Sequence, residues 1–293
     1  MSNILITGVT GNVGLEVIKA LAALNAEHVI IAAHHQPETA RQRLEMYKKL
    51  QYRKLDFSMP TCFAEALKDI DIVFLLRPPQ LADIRETFLP FLQAMKTANV
   101  NKVVFLSVQG VENNPNIPHY QLEKLIVELG FEYVFLRPSY FMQNLTSTLL
   151  REIVEESRVY IPAGKLKLVW VDVRDIGRVA AHILADFGRY VNTAPDITGN
   201  EVLDFYQIAE ILSDETGRKI NFVSPNLVRF YLHKRKQNTA RAMIFVMIML
   251  HYLPMFSKEK PKLSSIVREI LGDEPGSVRD FIRRERLTFI PKK

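Results

Sequence analysis

The sequence predicts an α/β fold, a doubly wound parallel sheet followed by a smaller and mainly helical C-terminal lobe. Three observations support this fold class. Short apolar segments alternate with amphipathic helices through the first half of the chain. A glycine-rich turn joins the first apolar segment to the first helix. The chain has 293 residues, 48% of them hydrophobic, and is long enough to bury a large core.

Six segments in the first half have the length and apolar character of strands buried on both faces. Between them, apolar residues recur at helical spacing, as Val13, Val17 and Leu21 do. Strands that alternate regularly with helices predict right-handed crossovers and one parallel sheet. The predicted strands are Asn3–Gly8, His28–Ala33, Tyr52–Asp56, Asp71–Leu76, Lys102–Ser107 and Tyr133–Pro138.

After Pro138 the alternation becomes less regular. Strands are predicted in VYIPA and KLVWVD, a helix over Asp175–Asp186, and mainly helices from Leu203 onward. We therefore expect a first domain over residues 1–155, to which segment 172–199 returns. Residues 200–293 are expected to form a mainly helical lobe for a substrate or a partner.

Cysteine usage and apolar runs exclude several classes of protein. With Cys62 as the single cysteine, we expect no disulfide framework and no metal site, and a reducing, cytoplasmic location. The N-terminus lacks the basic and apolar regions of a signal peptide. The run Met243–Pro254 is shorter than the roughly 20 residues that span a bilayer, so a buried or dimer-forming helix is favoured. A homodimer is left open.

Positive charge is concentrated at the C-terminal end. The net charge is +6, but Arg229–Lys293 contains 15 Lys or Arg against 6 Asp or Glu, which leaves −3 for the rest of the chain. Such charge can attract phosphate-rich or acidic partners. Solvated helix faces are favoured as its explanation. No recognition helix or base-stacking motif is evident, so nucleic-acid binding is not expected.

The most specific motif is ITGVTGNVG, in which Gly8, Gly11 and Gly14 lie between the first strand and the first helix. Gly8 permits the tight turn, Gly11 lets the backbone approach a pyrophosphate, and Gly14 lets the helix lie close to the strand. Phosphates would bind at the helix N-terminus. The motif predicts a dinucleotide site that includes Gly8, Thr10, Gly11, Asn12, Val13 and Gly14.

The end of the second strand favours NADP(H) over NAD(H). A carboxylate there would hold the ribose 2′-hydroxyl of NAD and repel a 2′-phosphate. The chain instead has AAHHQPETARQR, with no acid at the strand end and with His35 and Arg41 among the candidates for the phosphate. After the third strand, Asp56 and Phe57 are candidates for the adenine, although a helix-capping role for Asp56 remains open.

These residues together resemble the NmrA-like proteins, atypical members of the short-chain dehydrogenase/reductase superfamily. The resemblance is carried by TGVTGNVG, VVFLSVQG, HYQLEKLIVELGFEYVFLRPSYFMQNL and LDFYQIAEILSDETGRKINFV. It implies a Rossmann-fold dinucleotide domain with a small C-terminal substrate lobe. The family includes enzymes and non-catalytic redox sensors.

In the wider superfamily, a Ser after the fifth strand and a Tyr-x-x-x-Lys on the next helix form the active site. That spacing is matched by Ser107, Tyr120 and Lys124. The resemblance therefore implies that Tyr120 donates a proton and that Lys124 both supports Tyr120 and binds the cofactor. His119 is an alternative proton donor. The resemblance also places Tyr140 and Phe141 beside the nicotinamide and substrate pocket, although aromatic packing would explain them equally well. Leu76, Arg77 and Pro78 at the end of the fourth strand are further candidates for the cofactor, and Arg77 could instead be solvated.

The expected function is that of an NAD(P)H-dependent oxidoreductase that reduces a small quinone or carbonyl compound. A quinone would need only to be positioned beside the nicotinamide, so Tyr120 could then be dispensable. A non-catalytic NADP(H) sensor acting through a protein partner and a nucleotide-sugar epimerase-like enzyme remain alternatives.

Overall fold

The structure, a computed structural model, describes residues 2–24, 28–81, 83–257 and 260–291. It forms two compact units. The first comprises Met1–Ser139, Val173–Ile197 and Ser265–Glu274, and the second comprises Tyr140–Asp172, Thr198–Ser264 and Pro275–Lys293. The division falls after Ser139 and not at residue 155, because Tyr140–Phe141 pairs with a strand of the second unit.

Strands and helices alternate through the first unit, and strands become shorter in the second. The strands are β1 Asn3–Ile6, β2 Val29–His34, β3 Gln51–Lys54, β4 Ile72–Leu75, β5 Lys102–Leu106, β6 Glu132–Pro138, β7 Tyr140–Phe141, β8 Arg158–Tyr160, β9 Lys167–Val171, β10 Asp196–Ile197, β11 Glu201–Asp204 and β12 Asn221–Val223. The predicted strands of the first half are all present, with ends that differ by one or two residues.

The α-helices connect these strands and dominate the C-terminal end of the chain. They are α1 Asn12–Ala23, α2 Pro37–Arg43, α3 Phe63–Leu67, α4 Ile84–Thr97, α5 Pro118–Glu128, α6 Leu150–Glu155, α7 Val173–Ala185, α8 Phe187–Tyr190, α9 Phe205–Thr216, α10 Leu227–Lys236, α11 Arg241–His251, α12 Ile266–Leu271 and α13 Val278–Arg284.

A seven-stranded sheet in the order β10-β6-β5-β4-β1-β2-β3 forms the centre of the first unit. Each neighbouring pair is parallel. The order reverses between β1 and β4, and ligands of such sheets bind in the crevice beyond the carboxyl ends of the strands at that point. The predicted fold class, a doubly wound parallel Rossmann sheet, is confirmed.

Apolar strand residues and aromatic side chains form the core of the first unit. Leu5, Val73 and Phe105 from the sheet are fully buried. On one face of the sheet, the Phe63 and Phe91 rings meet edge to face with centroids 5.3 Å apart. Such burial is the main stabilising contribution in a sheet covered on both faces.

Two glycines let α1 pack closely against its neighbours. A Cβ atom at Gly14 would lie 2.3 Å from the carbonyl oxygen of Gly8, and one at Gly177 on α7 would lie 2.6 Å from the backbone of Glu16. Both distances are too short for atoms that are not bonded to each other. The absence of these side chains therefore determines how closely α1 approaches the glycine turn and α7.

The second unit has its own core around Trp170 and Phe205, both fully buried. A three-stranded sheet, β11-β9-β7, and a two-stranded sheet, β12-β8, lie beside its helices. The Trp170 indole Nε1 donates a hydrogen bond to the carbonyl of Leu203 at 3.1 Å, which satisfies its buried polar atom. The lobe predicted over residues 200–293 is mainly helical, with two short strands, β11 and β12, within it.

Helix α11 is half-buried. Ile244 and Met247 face the core of the second unit, whereas Phe245 and Leu250 are 62% and 53% exposed. The predicted buried or dimer-forming helix therefore has one buried face and one exposed apolar face. None of the described helices is long and apolar enough to cross a membrane.

A buried ion pair connects α6 to α10. Lys234 Nζ lies 2.5 Å from Glu152 Oε1, and both side chains are almost completely buried. His233 Nε2 lies 3.1 Å from the same oxygen. Burial alone raises the pKa of Glu152, but the hydrogen bond and charge of Lys234 outweigh it and hold that pKa below its usual range.

We expect Glu152→Gln to lower the free energy of unfolding by about 3–5 kcal/mol, because it leaves the Lys234 charge buried and uncompensated. Urea unfolding at neutral pH measures the change. The matched control is Glu155→Gln on the same helix, where the side chain is 57% exposed; its effect should stay within about 0.5 kcal/mol. Equal effects of the two substitutions would contradict this assignment.

The Glu152–Lys234 pair also predicts how the free energy of unfolding changes with pH. Because the folded pKa of Glu152 is lowered, its ionised form stabilises the fold above the unfolded carboxyl pKa of about 4.3. That contribution is lost as the pH falls through the folded pKa. The difference in unfolding free energy between wild type and Glu152→Gln should therefore shrink at acidic pH. A difference that stayed constant or grew would contradict the lowered pKa.

Candidate functional site

The glycine turn between β1 and α1 has the geometry of an anion site. Gly8 has a φ of +63°, in the left-handed region that favours glycine. The Gly11 amide donates to the Gly8 carbonyl at 2.9 Å, and Gly11 and Asn12 are exposed at the start of α1. The first turn of α1 contains no acidic residue. Its free amides and helix dipole therefore favour a phosphate group.

The other predicted residues of this turn pack around it. Val13 lies on the buried face of α1, and the Thr10 hydroxyl lies 3.3 Å from His34 Nε2. The Leu76 side chain covers the turn, because a Cβ atom at Gly8 would lie 3.0 Å from its Cδ2. The Leu76 amide donates to the Thr7 hydroxyl at 2.7 Å. The ends of β1 and β4 are thereby joined beside the turn.

The end of β2 carries the groups next to the turn that could receive a 2′-phosphate. His34 is the last residue of the strand, and burial lowers its pKa. Arg43 Nη1 donates to the Thr10 carbonyl at 3.2 Å. Arg41 instead stacks on Tyr52, with its guanidinium 4.9 Å from the ring centroid. His35 is exposed and stacks on His34 at 4.3 Å.

Asp56 and Phe57, the candidates for the adenine, have local partners. The backbone amide and hydroxyl of Ser58 donate to Asp56 Oδ1 at 2.9 and 2.6 Å. These hydrogen bonds lower the pKa of Asp56. Phe57 packs on Phe88 with ring centroids 4.9 Å apart. Asp56 does not cap a helix, because the helical segments that follow it, Pro60–Cys62 and α3, have Met59 and Cys62 at their N-caps and no side-chain cap. Its carboxylate forms a local turn with Ser58, and its contact with adenine stays a prediction.

Three of the six buried side-chain polar atoms that lack a hydrogen-bond partner among the described residues follow adjacent strands. They are Arg77 Nε after β4, Ser107 Oγ after β5 and Ser139 Oγ after β6. Parallel strands bring their carboxyl ends to one edge of the sheet. Since buried polar groups are normally hydrogen-bonded, three such atoms at one edge fit the polar groups of a bound ligand.

Arg77 and His119 lie close together near this edge. Arg77 Nη1 donates to the carbonyls of Pro78 and Leu81, both at 3.0 Å, so the guanidinium stabilises the loop after β4. His119 stacks on Phe105 at 6.0 Å. Burial, with the charge of Arg77 as a second cause, lowers the pKa of His119 to about 4. The imidazole is therefore neutral at pH 7.

The predicted pair of Tyr120 and Lys124 lies in a groove between α4 and α5. The groove has a volume of about 680 Å³ and is also lined by Asp83, Ile84 and Glu128. Lys124 Nζ lies 3.6 Å from Glu128 Oε1, and its side chain is 64% exposed. The groove lining comes from α4, α5 and the segment before α5. The structure brings Tyr120 and Lys124 together there, while Ser107 is buried at the end of β5.

A buried ion pair, which the sequence analysis missed, determines how α5 is rotated on the sheet. Arg137 on β6 donates from Nε and Nη2 to the two oxygens of Glu123, at 3.1 and 2.7 Å. A bidentate pair of this kind fixes both position and orientation. The sequence contained a signal for this pair. Arg137 is a charged residue in the apolar strand YVFLRP, and Glu123 is an acid next to Leu122 on the apolar face of α5.

Tyr140 and Phe141 belong to the second unit and form β7. The Tyr140 hydroxyl lies 2.8 Å from His251 Nε2, and His251 Nδ1 lies 2.6 Å from the Met247 carbonyl. Burial raises the pKa of Tyr140 and lowers that of His251 to about 4. The two side chains therefore form a neutral hydrogen-bonded pair beside Trp170. A role for Tyr140 or Phe141 at the nicotinamide stays a prediction.

We expect Gly14→Ala to weaken dinucleotide binding by about tenfold or more, since the added Cβ would force the turn away from α1. Fluorescence titration of the reduced dinucleotide measures the affinity. The matched control is Gly188→Ala, a position where an added Cβ meets no atom within 4 Å. If both variants bound the dinucleotide like wild type, the turn would not be the binding site.

Comparison with known proteins agrees with this geometry. The chain is 27% identical over 288 residues to prestalk A differentiation protein A of Dictyostelium discoideum, covering 96% of this chain and 91% of that protein. It is 29% identical over 232 residues to an NAD(P)H azoreductase of Xenophilus azovorans, covering 76% and 77% of the two chains. Both relatives match most of their own length.

Among solved structures, the triphenylmethane reductase of Citrobacter sp. in complex with NADP(H) superposes with a TM-score of 0.83 at 19% identity, covering 96% of this chain and 99% of that one. At that identity the likeness concerns the fold. The model of the NmrA-like family matches residues 1–241. The predicted resemblance is thereby confirmed, and the chain belongs to the NmrA-like family.

Proposed function

We propose that this chain is an NAD(P)H-dependent oxidoreductase that reduces a conjugated acceptor such as a quinone by direct hydride transfer. Two relatives support the enzyme class. One is named an NAD(P)H azoreductase. The other, from Bacillus subtilis, is named an uncharacterized oxidoreductase and is 27% identical to this chain over 280 residues. The acceptor class is inferred from the residues of this chain.

The proposal rests on two features that occur together. One is the glycine turn, and the other is the set of buried polar atoms after β4, β5 and β6 that lack a hydrogen-bond partner in the described part of the chain. The turn and the start of α1 would hold the pyrophosphate. Arg77 Nε, Ser107 Oγ and Ser139 Oγ would donate to or accept from the nicotinamide end or the acceptor. A bound reduced nicotinamide supplies a hydride, which is two electrons and one proton.

The position of the titratable groups favours a conjugated acceptor. A simple carbonyl becomes a strongly basic alkoxide and needs an acid within hydrogen-bond reach. His119 is neutral at pH 7 with a pKa of about 4, and Tyr120 lines the α4–α5 groove. A quinone instead becomes a resonance-stabilised anion after it takes up the hydride, and water can supply the second proton that completes the hydroquinone.

NADP(H) remains the proposed cofactor form, with Arg43 and His34 as the groups nearest to a 2′-phosphate. Arg43 contacts the backbone of Thr10 in the turn, and β2 ends in His34 with no carboxylate that would repel the phosphate. Both residues were part of the basic segment recognised in the sequence. Their contacts with the turn distinguish them from Arg41.

We expect Arg43→Ala to lower the preference for NADPH over NADH by about tenfold or more, because a charge-assisted hydrogen bond to the phosphate is lost. The ratio of the two dissociation constants measures this preference. Arg41→Ala is the matched control, since Arg41 stacks on Tyr52 and pairs with Glu38. If Arg41→Ala had the larger effect, the original assignment of Arg41 would be right and that of Arg43 wrong.

We expect the purified protein to oxidise NADPH with quinones, and Tyr120→Phe to keep the rate within about twofold of wild type, since the phenol is not the proton source. The absorbance of NADPH, followed over a panel of quinones and small aldehydes, measures turnover. Aldehydes should be poor substrates.

Three outcomes would overturn parts of this proposal. Aldehyde turnover that falls by orders of magnitude in Tyr120→Phe would make the Tyr120–Lys124 pair an acid–base site. Tight NADPH binding without any turnover would support a redox sensor. A retained dinucleotide with no net consumption, together with conversion of a nucleotide sugar, would support an epimerase-like enzyme.

A further inference from the structure

Exposed apolar side chains are concentrated on one part of the second unit. Among the described residues, eighteen large hydrophobic side chains are exposed, and eleven of them lie between Val228 and Leu263. This segment comprises α10, α11 and the residues that follow them. Scattered exposed apolar residues are normal on a protein surface, but such a concentration marks an interaction site.

Helix α11 carries the centre of this apolar surface. Ile244, Met247 and His251 face inward. On the outward face, Phe245 and Met249 lie one turn apart, as do Val246 and Leu250, and all four side chains are exposed. A helix that needed only to cover its own core would have polar residues on the outward face.

Positive charge surrounds the apolar surface. From Val228 to Leu263 the sequence contains eight Lys or Arg residues and one acidic residue. Lys234 is paired inside the unit, but Arg229, Arg235, Lys236 and Arg241 are exposed beside the apolar residues. This charge distinguishes between possible occupants of the surface.

A second copy of the chain does not match this charge. In a twofold interface the same patch meets itself, so the basic residues of the two copies would face one another, and like charges brought together in this way are unfavourable. An anionic surface complements the charge. Apolar residues flanked by Lys and Arg on a short helix are the pattern of a helix that lies in the plane of a membrane interface.

The length of α11 agrees with a position in the plane of a membrane. The helix has eleven residues, about half of the roughly 20 that span a bilayer. A cavity of about 260 Å³ lies beside the segment that follows α11, lined by Lys165, Lys167, Pro254 and Met255. Its two lysines are suited to the phosphate of a lipid headgroup.

We infer that the outward face of α10 and α11 binds the surface of anionic lipid membranes, with Phe245, Val246, Met249 and Leu250 entering the headgroup region and the basic residues contacting lipid phosphates. The buried apolar area and the charge act together in such binding. This inference does not depend on the proposed oxidoreductase activity.

Co-sedimentation of the full chain with vesicles tests it. The protein should sediment with phosphatidylcholine vesicles that contain phosphatidylglycerol and should not sediment with pure phosphatidylcholine. High salt should weaken the binding because it screens the basic residues. Equal sedimentation with both kinds of vesicle, or with neither, would overturn the inference.

Two double variants test the two parts of the surface. Phe245→Ser with Met249→Ser removes apolar area, and Arg235→Glu with Lys236→Glu reverses charge; each should weaken vesicle binding by about tenfold or more. The controls are the single substitutions Leu287→Ser and Lys219→Glu, of the same kinds and at exposed positions outside the patch. Controls that lost binding to the same degree would contradict the location of the surface.

Sedimentation velocity without lipid tests the alternative, in which a second copy of the chain covers this surface. Suppose that the wild type is a dimer, that Phe245→Ser with Met249→Ser converts it to a monomer, and that the protein does not bind vesicles. These results would assign the surface to a second copy and overturn the membrane inference. Thermal unfolding of each variant verifies that the fold is kept, as expected for substitutions of exposed side chains.

Discussion

The close packing of helix α1 is the constraint on which the candidate dinucleotide site depends. No side chain fits between Gly14 and the carbonyl of Gly8, or between Gly177 and the backbone of Glu16. The helix can therefore approach the end of β1 on one side and α7 on the other. This position puts the free amides of its first turn at the carboxyl ends of the paired strands β1 and β4, where the strand order reverses. A pyrophosphate can be held there.

Helix α5 shows why residue spacing alone does not fix the direction in which a side chain points. Tyr120 and Lys124 fit the superfamily spacing, but successive helical residues point about 100° apart. Leu122, Leu125 and Ile126 form the buried face of α5, and His119, three residues before Leu122, follows that stripe. The Glu123–Arg137 ion pair holds this rotation. The apolar stripe was visible in the sequence, whereas the ion pair required the packing of α5 on β6.

Strand alternation and the glycine motif were sufficient to predict the fold class, and the segments around LRPSYFMQNL were needed to predict the family. All of these are local patterns. The partners of charged side chains were not predictable in the same way. Arg41 and Arg43 are two residues apart, yet one stacks on Tyr52 and the other contacts the turn. The outward face of α11 could not be predicted either. The apolar composition of this segment indicates a helix, but it does not indicate what each face of the helix contacts.

The central claim is that hydride passes directly from the dinucleotide to a conjugated acceptor. The most direct test follows a single turnover of the purified protein with a quinone and with NADPH deuterated at the nicotinamide C4 position that is transferred. We predict that the reaction is several-fold slower than with unlabelled NADPH, because the C4–D bond breaks in the hydride step, and that mass spectrometry finds the NADP⁺ without deuterium. Deuterated NADPH that stayed bound and unchanged, or NADP⁺ that kept the deuterium, would contradict the claim.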